Sequence, residues 1–242
     1  MDNEARYLPL GDSALVVEFG QTIDSEINAQ VQALMAAIEV AGLTGIRDLV
    51  PTPRSLAIHF NPYVTDHKTL ALAIQALKVK PHEARASTRH WTFPFCADAE
   101  FAEDLPTVAA LSGLSETAVL ETFCGTALSV FFLGFVPGNA FMGKLPEQLT
   151  LSRRKEPRVR IRPGSVATAM GWGMIYPLES PGGWHLIGHS PVPLFDVSRH
   201  QPALLAPGDT VQFSLIDRVE HEKLAAEIAA GMDLDQLAGV KQ

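Results

Sequence analysis

Residues 158–177 read RVRIRPGSVATAMGWGMIYP, and the texture of this stretch decides the fold class. Its apolar residues fall in three short runs, Val159–Ile161, Val166–Ala169 and Met174–Tyr176, parted by Pro163-Gly164 and by Gly171-Trp-Gly173. Runs of three or four residues closed off by Gly and Pro are too short for helices and read as strands joined by tight turns. The same texture continues outward, through Val130–Leu133 upstream and through His185–Ile187 and Thr210–Ile216 downstream. Between Gly134 and Gly208 there are ten glycines and ten prolines, whereas residues 1–90 contain four glycines. The later part is therefore expected to form a closed or nearly closed β-barrel, and the earlier part to consist of longer regular elements.

In that earlier part Ala14–Phe19 is a strand bounded by Gly11-Asp12 and Gly20. Asp24 or Ser25 caps a helix that places Ile27, Val31, Leu34, Met35 and Ile38 on one face, and Gly42 stops it. Ile46–Val50 and Ser55–Phe60 are strands around the turn Pro51-Thr-Pro53. Thr65 caps a second helix with Leu70, Ile74 and Leu77 inward, ended by Pro81. Strand, helix, strand, strand, helix becomes a ferredoxin-like split βαβ once a further strand joins, either Trp91–Phe95 or the short Arg6–Leu8. The polar, aperiodic PHEARASTR at 81–89 suits a linker. The expected class is α+β: a ferredoxin-like α/β domain over 1–82, a linker over 83–90 and a barrel domain over 91–242. The barrel domain opens with two short helices, Pro106 near the first turn of one and Ser115 capping the next. It closes with an amphipathic helix carrying Leu224, Ala225 and Ile228 on one face, then a polar tail to Gln242.

Composition narrows the function classes. With 47% hydrophobic and 19% charged residues the 242-residue chain is an ordinary folded protein, which excludes disorder, a collagen-like repeat and a disulfide scaffold. Nineteen Lys+Arg against 27 Asp+Glu give a formal charge of -8, which disfavours general nucleic-acid binding. No stretch approaches the ~20 apolar residues of a bilayer span, and MDNEARYLPL lacks the basic opening of a signal peptide. Cys96 and Cys124 lie in apolar surroundings without CxxC spacing, as reduced core thiols of a cytoplasmic protein do.

Several apparent motifs carry no chemistry. Gly171-Trp-Gly173 lacks the third glycine of a dinucleotide loop and opens no helix. His185 and His189 sit in a β-like run, where four residues part side chains by ~13 Å, too far for one zinc ion. Glu100, Glu103 and Asp104, like Glu220 and Glu222, read as solvated carboxylates at helix ends. Four Pro-Gly loops remain: Gly134–Gly138, Arg162–Ser165, Ser180–Trp184 and Ala206–Asp209. Their glycines suit tight turns and also leave N–H groups open to a ligand. In an extended segment Arg158, Arg160 and Arg162 share one face while Val159 and Ile161 point to the core. Such a stripe either holds a carboxylate or phosphate or shields an edge strand from aggregation.

These loops, with GDSALVVEFG at 11–20 and IRDLVPTPRSL at 46–56, carry a resemblance. Together with Arg153-Arg154, Pro157-Arg158, Pro163-Gly-Ser-Val166, Ile175-Tyr-Pro177, SPGGWHLIG at 180–188, Leu194-Phe-Asp196 and Pro207-Gly-Asp209, they make the chain resemble one family. It is the family of the 5-oxoprolinase B subunit, the kinase inhibitor KipI and allophanate hydrolase subunit 1. The resemblance implies an N-terminal α/β domain and a cyclophilin-like barrel. It also implies an ATP-dependent opening of 5-oxoproline, ATP being used by the complex. The implied partners are a homologous second barrel subunit, of the 5-oxoprolinase C type, and a LamB/YcsF-type subunit; the KipI branch instead implies non-catalytic inhibition of a histidine kinase. Neither nucleic acid nor membrane is an expected partner.

Substrate-binding residues are expected in three groups: Gly134, Phe135, Pro137, Gly138 and Asn139; Arg154, Arg158, Gly164 and Ser165; and Ser180, Gly182, Gly183 and Trp184. No catalytic residue and no metal ligand is assigned. The chain departs from the family pattern at Asn139, at Phe123, where relatives often carry His, and at Trp172-Gly173, where relatives carry a Gln-Thr pair. Replacing His by Phe removes a possible proton-transfer group, so either the substrate differs or catalysis lies in the partner.

Overall fold

The computed structural model describes residues 5–79 and 89–240, so most of the expected linker at 83–90 lies outside the described residues. Arg89 and His90 belong to a strand. The chain forms two compact units, one ending at residue 87 and the other starting at 88.

In the first unit β1 (Arg6–Leu10), β2 (Ala14–Glu18), β3 (Ile46–Pro51) and β4 (Ser55–Phe60) make an antiparallel sheet in the order β1-β2-β4-β3. The extra strand is thus the N-terminal one, while Trp91–Phe95 lies in the second unit. Helices α1 (Ser25–Ala41) and α2 (His67–Gln75) supply Val31, Leu34, Ile38, Leu70 and Ile74 to a core with Leu15, Val17, Leu56, Ile58 and Phe60. Asp24 caps α1 by accepting from the Glu26 N–H at 2.7 Å, and Gly42 ends it in the left-handed region, φ 57°. The cap of α2 is Asp66 rather than Thr65: its carboxylate accepts from the Thr69 N–H at 2.9 Å.

The second unit is a mixed α/β arrangement around one curled sheet. Its strands are β5 (Arg89–Phe95), β6 (Leu128–Leu133), β7 (Ala140–Gly143), β9 (Ser165–Ala169), β10 (Trp172–Ile175), β12 (His185–His189), β13 (Thr210–Leu215) and β14 (Ala238–Val240). Their order is β12-β9-β10-β7-β6-β13-β5-β14. A separate ribbon pairs β8 (Arg158–Ile161) with β11 (Ser180–Gly182). Helices α3 (Leu105–Ser112), α4 (Glu116–Cys124) and α5 (Arg218–Ala229) complete it. Residues 234–240 are not a polar tail: a helical turn, Leu234–Leu237, leads into β14, which pairs with β5 through Ala238 and Trp91. Among the described residues no helix is long and apolar enough to cross a membrane.

The sheet curls until its first strand meets the continuation of β5. His189 and Cys96 exchange both main-chain hydrogen bonds at 2.9 Å, and Phe95, Phe123 and Phe213 fill the space inside. This seam admits no side chain at Gly188, where a Cβ would lie 2.4 Å from Phe95 Cδ2 and 2.8 Å from the Cys96 carbonyl. Gly188→Ala is therefore expected to destabilise the protein by roughly 1–3 kcal/mol in denaturant titrations, the cost of overpacking a closed interior.

Candidate functional site

The β8–β11 ribbon carries the densest group of the expected site residues. Ser180 pairs with Ile161 and Gly182 with Arg158. The segment before β8 runs alongside, the Arg154 N–H donating to the Gly183 carbonyl at 2.7 Å and His185 Nε2 meeting the Ser152 carbonyl at 2.9 Å. Gly164 and Ser165 are held from below by Tyr176, whose carbonyl accepts from Gly164 at 2.7 Å and whose N–H donates to the Ser165 carbonyl at 2.9 Å. Burial pushes the Tyr176 hydroxyl up to about 12, against the pull of the Trp184 N–H, so it stays protonated. Trp184 is buried edge-on to Phe141.

The first expected group lies in the loop joining β6 to β7, and none of it lines the groove described below. Asn139 is fully buried, and its amide donates to the Gly134 carbonyl at 3.0 Å, so the side chain braces its own loop. Phe135 stands out of this loop, 66% exposed and at a φ of 75°.

The centre of the site is Asp104, which local pattern placed among solvated carboxylates. It is 2% exposed. Its oxygens accept from Arg154, from Arg158 at 2.7 and 3.0 Å and from the Leu186 N–H at 2.8 Å. Burial pushes the Asp104 carboxyl up, but Arg158, the Leu186 N–H and Arg154 outweigh it and hold it below the ordinary range. Its neighbours Glu100 and Glu103 keep exposed side chains and are tied to arginines, Arg162 with Arg218 and Arg158 respectively. Glu220 completes a capping box at α5, and Glu222 pairs with Arg218.

The arginine stripe is consequently a ladder of ion pairs. Arg158 goes to Asp104 and Glu103, Arg160 grips Glu179 with contacts of 2.8 Å, and Arg162 donates to the Glu100 carbonyl at 2.8 Å while its guanidinium lies 4.4 Å from the Phe101 ring centre. Ile161 points inward as expected, but Val159 is 84% exposed, because β8 belongs to a two-stranded ribbon with no layer covering that position. Between the ladder and residues 100–103 lies a groove of about 430 Å³ with Ile161, Leu186 and Ser165 among its lining. Of the expected site residues, Arg158 and Ser165 line it.

The lining carries Arg158, Arg160 and Arg162 against Glu100, Glu103 and Glu179, so its formal charges cancel. An entering anion must displace a carboxylate already in place. Among the described residues no hydrogen bond links the hydroxyl of Ser165 or Ser180 to a histidine or carboxylate, and no group of three or more metal-ligating side chains occurs.

Phe123 is fully buried beside Gly173, where a Cβ would lie 2.9 Å from Leu128 Cδ1 and in contact with the Phe123 ring at 3.4 Å. Trp172 packs in the same way over Gly143.

Asp104→Asn is expected to cost about 3 kcal/mol at neutral pH, since two guanidiniums lose their buried counter-charge. The carboxyl's folded pKa lies below its unfolded one, so this stabilisation is complete above about pH 4 and fades at lower pH. The difference between wild type and variant should shrink there in pH-dependent denaturation.

Comparison with known proteins adds sequence-wide relationships. A family model for the carboxyltransferase domain, subdomain C and D, matches residues 5–205. The chain is 31% identical over 229 residues to the 5-oxoprolinase B subunit of Bacillus subtilis (strain 168), covering 90% of this chain and 95% of that protein. It is 35% identical over 213 residues to the 5-oxoprolinase B subunit of Escherichia coli O157:H7, covering 86% and 95%. Among solved structures, that of TTHA0988 superposes with a TM-score of 0.77 at 33% identity, over 85% of this chain and 40% of the TTHA0988 chain.

Proposed function

Because this chain belongs to the carboxyltransferase-domain family of subdomains C and D, we propose that it is a cytoplasmic subunit of an ATP-dependent hydrolase of the 5-oxoprolinase type, opening a lactam or amide. The observation that carries this is the match to two 5-oxoprolinase B subunits along 95% of their lengths at 31% and 35% identity. In this proposal the first unit is a ferredoxin-like domain with β1 in place of the last strand, and the second is a cyclophilin-like barrel. The partners are a homologous second barrel subunit and a LamB/YcsF-type subunit. The TTHA0988 chain, of which this one matches 40%, has room for such a second barrel in one polypeptide.

In this proposal the groove residues orient the substrate, its polar end against the paired Arg160 and Glu179 and Ser165 at the floor. The described residues of the groove do not fit a triphosphate: each arginine is already bonded to a carboxylate, and the lining has no net positive charge. ATP is therefore assigned to another member of the complex. Among the described residues neither the Ser165 nor the Ser180 hydroxyl is bonded to a histidine or carboxylate, which, with Phe123 in the interior, supports placing bond cleavage at or beyond the interface with the partner.

Expression of this chain in a strain lacking its own B subunit, with the cognate partner subunits supplied, is expected to restore ATP-dependent cleavage of 5-oxoproline. A folded chain that co-purifies with those partners yet restores none overturns the 5-oxoproline assignment. Recovery of a histidine kinase in place of barrel partners would overturn the enzyme assignment altogether.

A further inference from the structure

Behind the groove wall two histidines make a contact that ligand orientation does not use. His189, at the end of β12, meets the Pro163 carbonyl through Nε2 at 2.9 Å, and its Nδ1 lies 2.9 Å from Nε2 of His221 on α5. A carbonyl oxygen only accepts, so the proton of neutral His189 sits on Nε2 and its Nδ1 is an acceptor. His221 must then donate from Nε2. Its Nδ1, buried without a partner, carries no hydrogen. One carbonyl thus dictates the proton positions of both rings.

The chain segment so held is part of the groove. Gly164 stands at φ 83°, and a Cβ there would lie 2.6 Å from His189 Nε2 and 2.4 Å from the Ser190 carbonyl. Ser190 donates to the Gly164 carbonyl at 2.8 Å. Phe101 of the groove wall stacks on His189 with ring centres 4.9 Å apart and lies 5.0 Å from His221. We propose that His189, kept in a single tautomer by the Pro163 carbonyl and bonded to His221, is a positioning residue that fixes Pro163-Gly164-Ser165 against the groove at neutral pH; a proton on its Nδ1 would face the His221 Nε2–H donor to donor, so acidification parts the two rings and loosens the segment.

The surroundings set the direction. From the end of β8 and the loop after it come Arg162 and the Pro163 carbonyl; from residues before α3, Asp98, Glu100 and Phe101; from α5, Arg218 and Glu222. Cys96 bridges His189 by main chain only, and burial, foremost, keeps its thiol neutral by pushing it up. Burial holds His189 down to about 4, with His221, Arg162 and Arg218 adding to it against the Pro163 carbonyl. His221 is lowered by burial first and then Arg218, against Glu222 and Asp98. Glu100 and Glu222 are bonded to guanidiniums. A second proton would also give His221 a buried N–H with no acceptor. Because the folded pKa lies below the ordinary 6.5, stability is complete above that pH and is lost as pH falls toward about 4.

This proposal depends on the function proposed above only for its consequence on ligand binding, and it is tested on the full chain without any activity. Nitrogen-15 NMR of the imidazoles is expected to show both histidines neutral and Nε2-protonated at pH 7.5, with neither titrating near 6.5. Amide exchange at Gly164 and Ser165, corrected for intrinsic pH dependence, should accelerate about tenfold or more between pH 7 and 4.5. His189→Gln retains an N–H toward Pro163 without a titrating ring, so its corrected exchange should be flat with pH. An ordinary titration near 6.5, Nδ1 protonation of either ring, or equal acid response in wild type and His189→Gln would overturn the proposal. Should His189→Gln fail to fold, the wild-type tautomers and titration decide alone.

Discussion

One buried carboxylate organises the groove side of the second unit. Asp104 is reached by two guanidiniums and one main-chain N–H, and its own N–H donates to the Leu186 carbonyl at 3.0 Å. A carboxylate taken out of water is costly unless every lone pair is engaged, and here the engagement ties the approach to α3, strand β12 and the basic run together. With Asp104 in place, Arg158 cannot swing freely to a ligand, and the groove acquires a fixed wall. The arginine stripe is therefore a ladder of ion pairs.

The curled sheet imposes the second constraint. Bringing β12 to the end of β5 leaves space only for glycine at 188 and packs aromatic rings into the interior. Phe123 against Gly173 belongs to the same filling, in which a large residue and an absent side chain are complementary. Interiors packed to this density respond to volume changes as a whole. At the surface a groove of balanced charge and an exposed Phe135 face outward.

Much of the architecture is legible from local pattern. The helix around Val31, Leu34 and Ile38, its Gly42 stop, the Ser115 cap and most short strands of the second unit follow from periodicities and caps within four residues of each position. Strand β7 is not, because AFMG is only four residues long and has no polar/apolar alternation to mark it as a strand. Strand β14 is not, because three small residues near a terminus read as tail until β5 offers them partners. Of the site, the Pro-Gly loops and Arg158 are visible in the sequence, while the roles of Asp104, Arg160, Glu179 and the two-histidine contact are not.

By itself the sequence determined the mixed α/β class, most of the short strands and turns in the Gly/Pro-rich part and the family, since these rest on residue type, short spacing and ordered motifs. Only the tertiary structure decided which charges meet. Asp104 finds Arg154 at a separation of 50 residues, Arg158 at 54 and Leu186 at 82, and His189 finds His221 at 32. No periodicity reports a contact across such distances. Whether an arginine faces a ligand or a buried carboxylate is set by the path of the chain, and with it the electrostatic character of the groove.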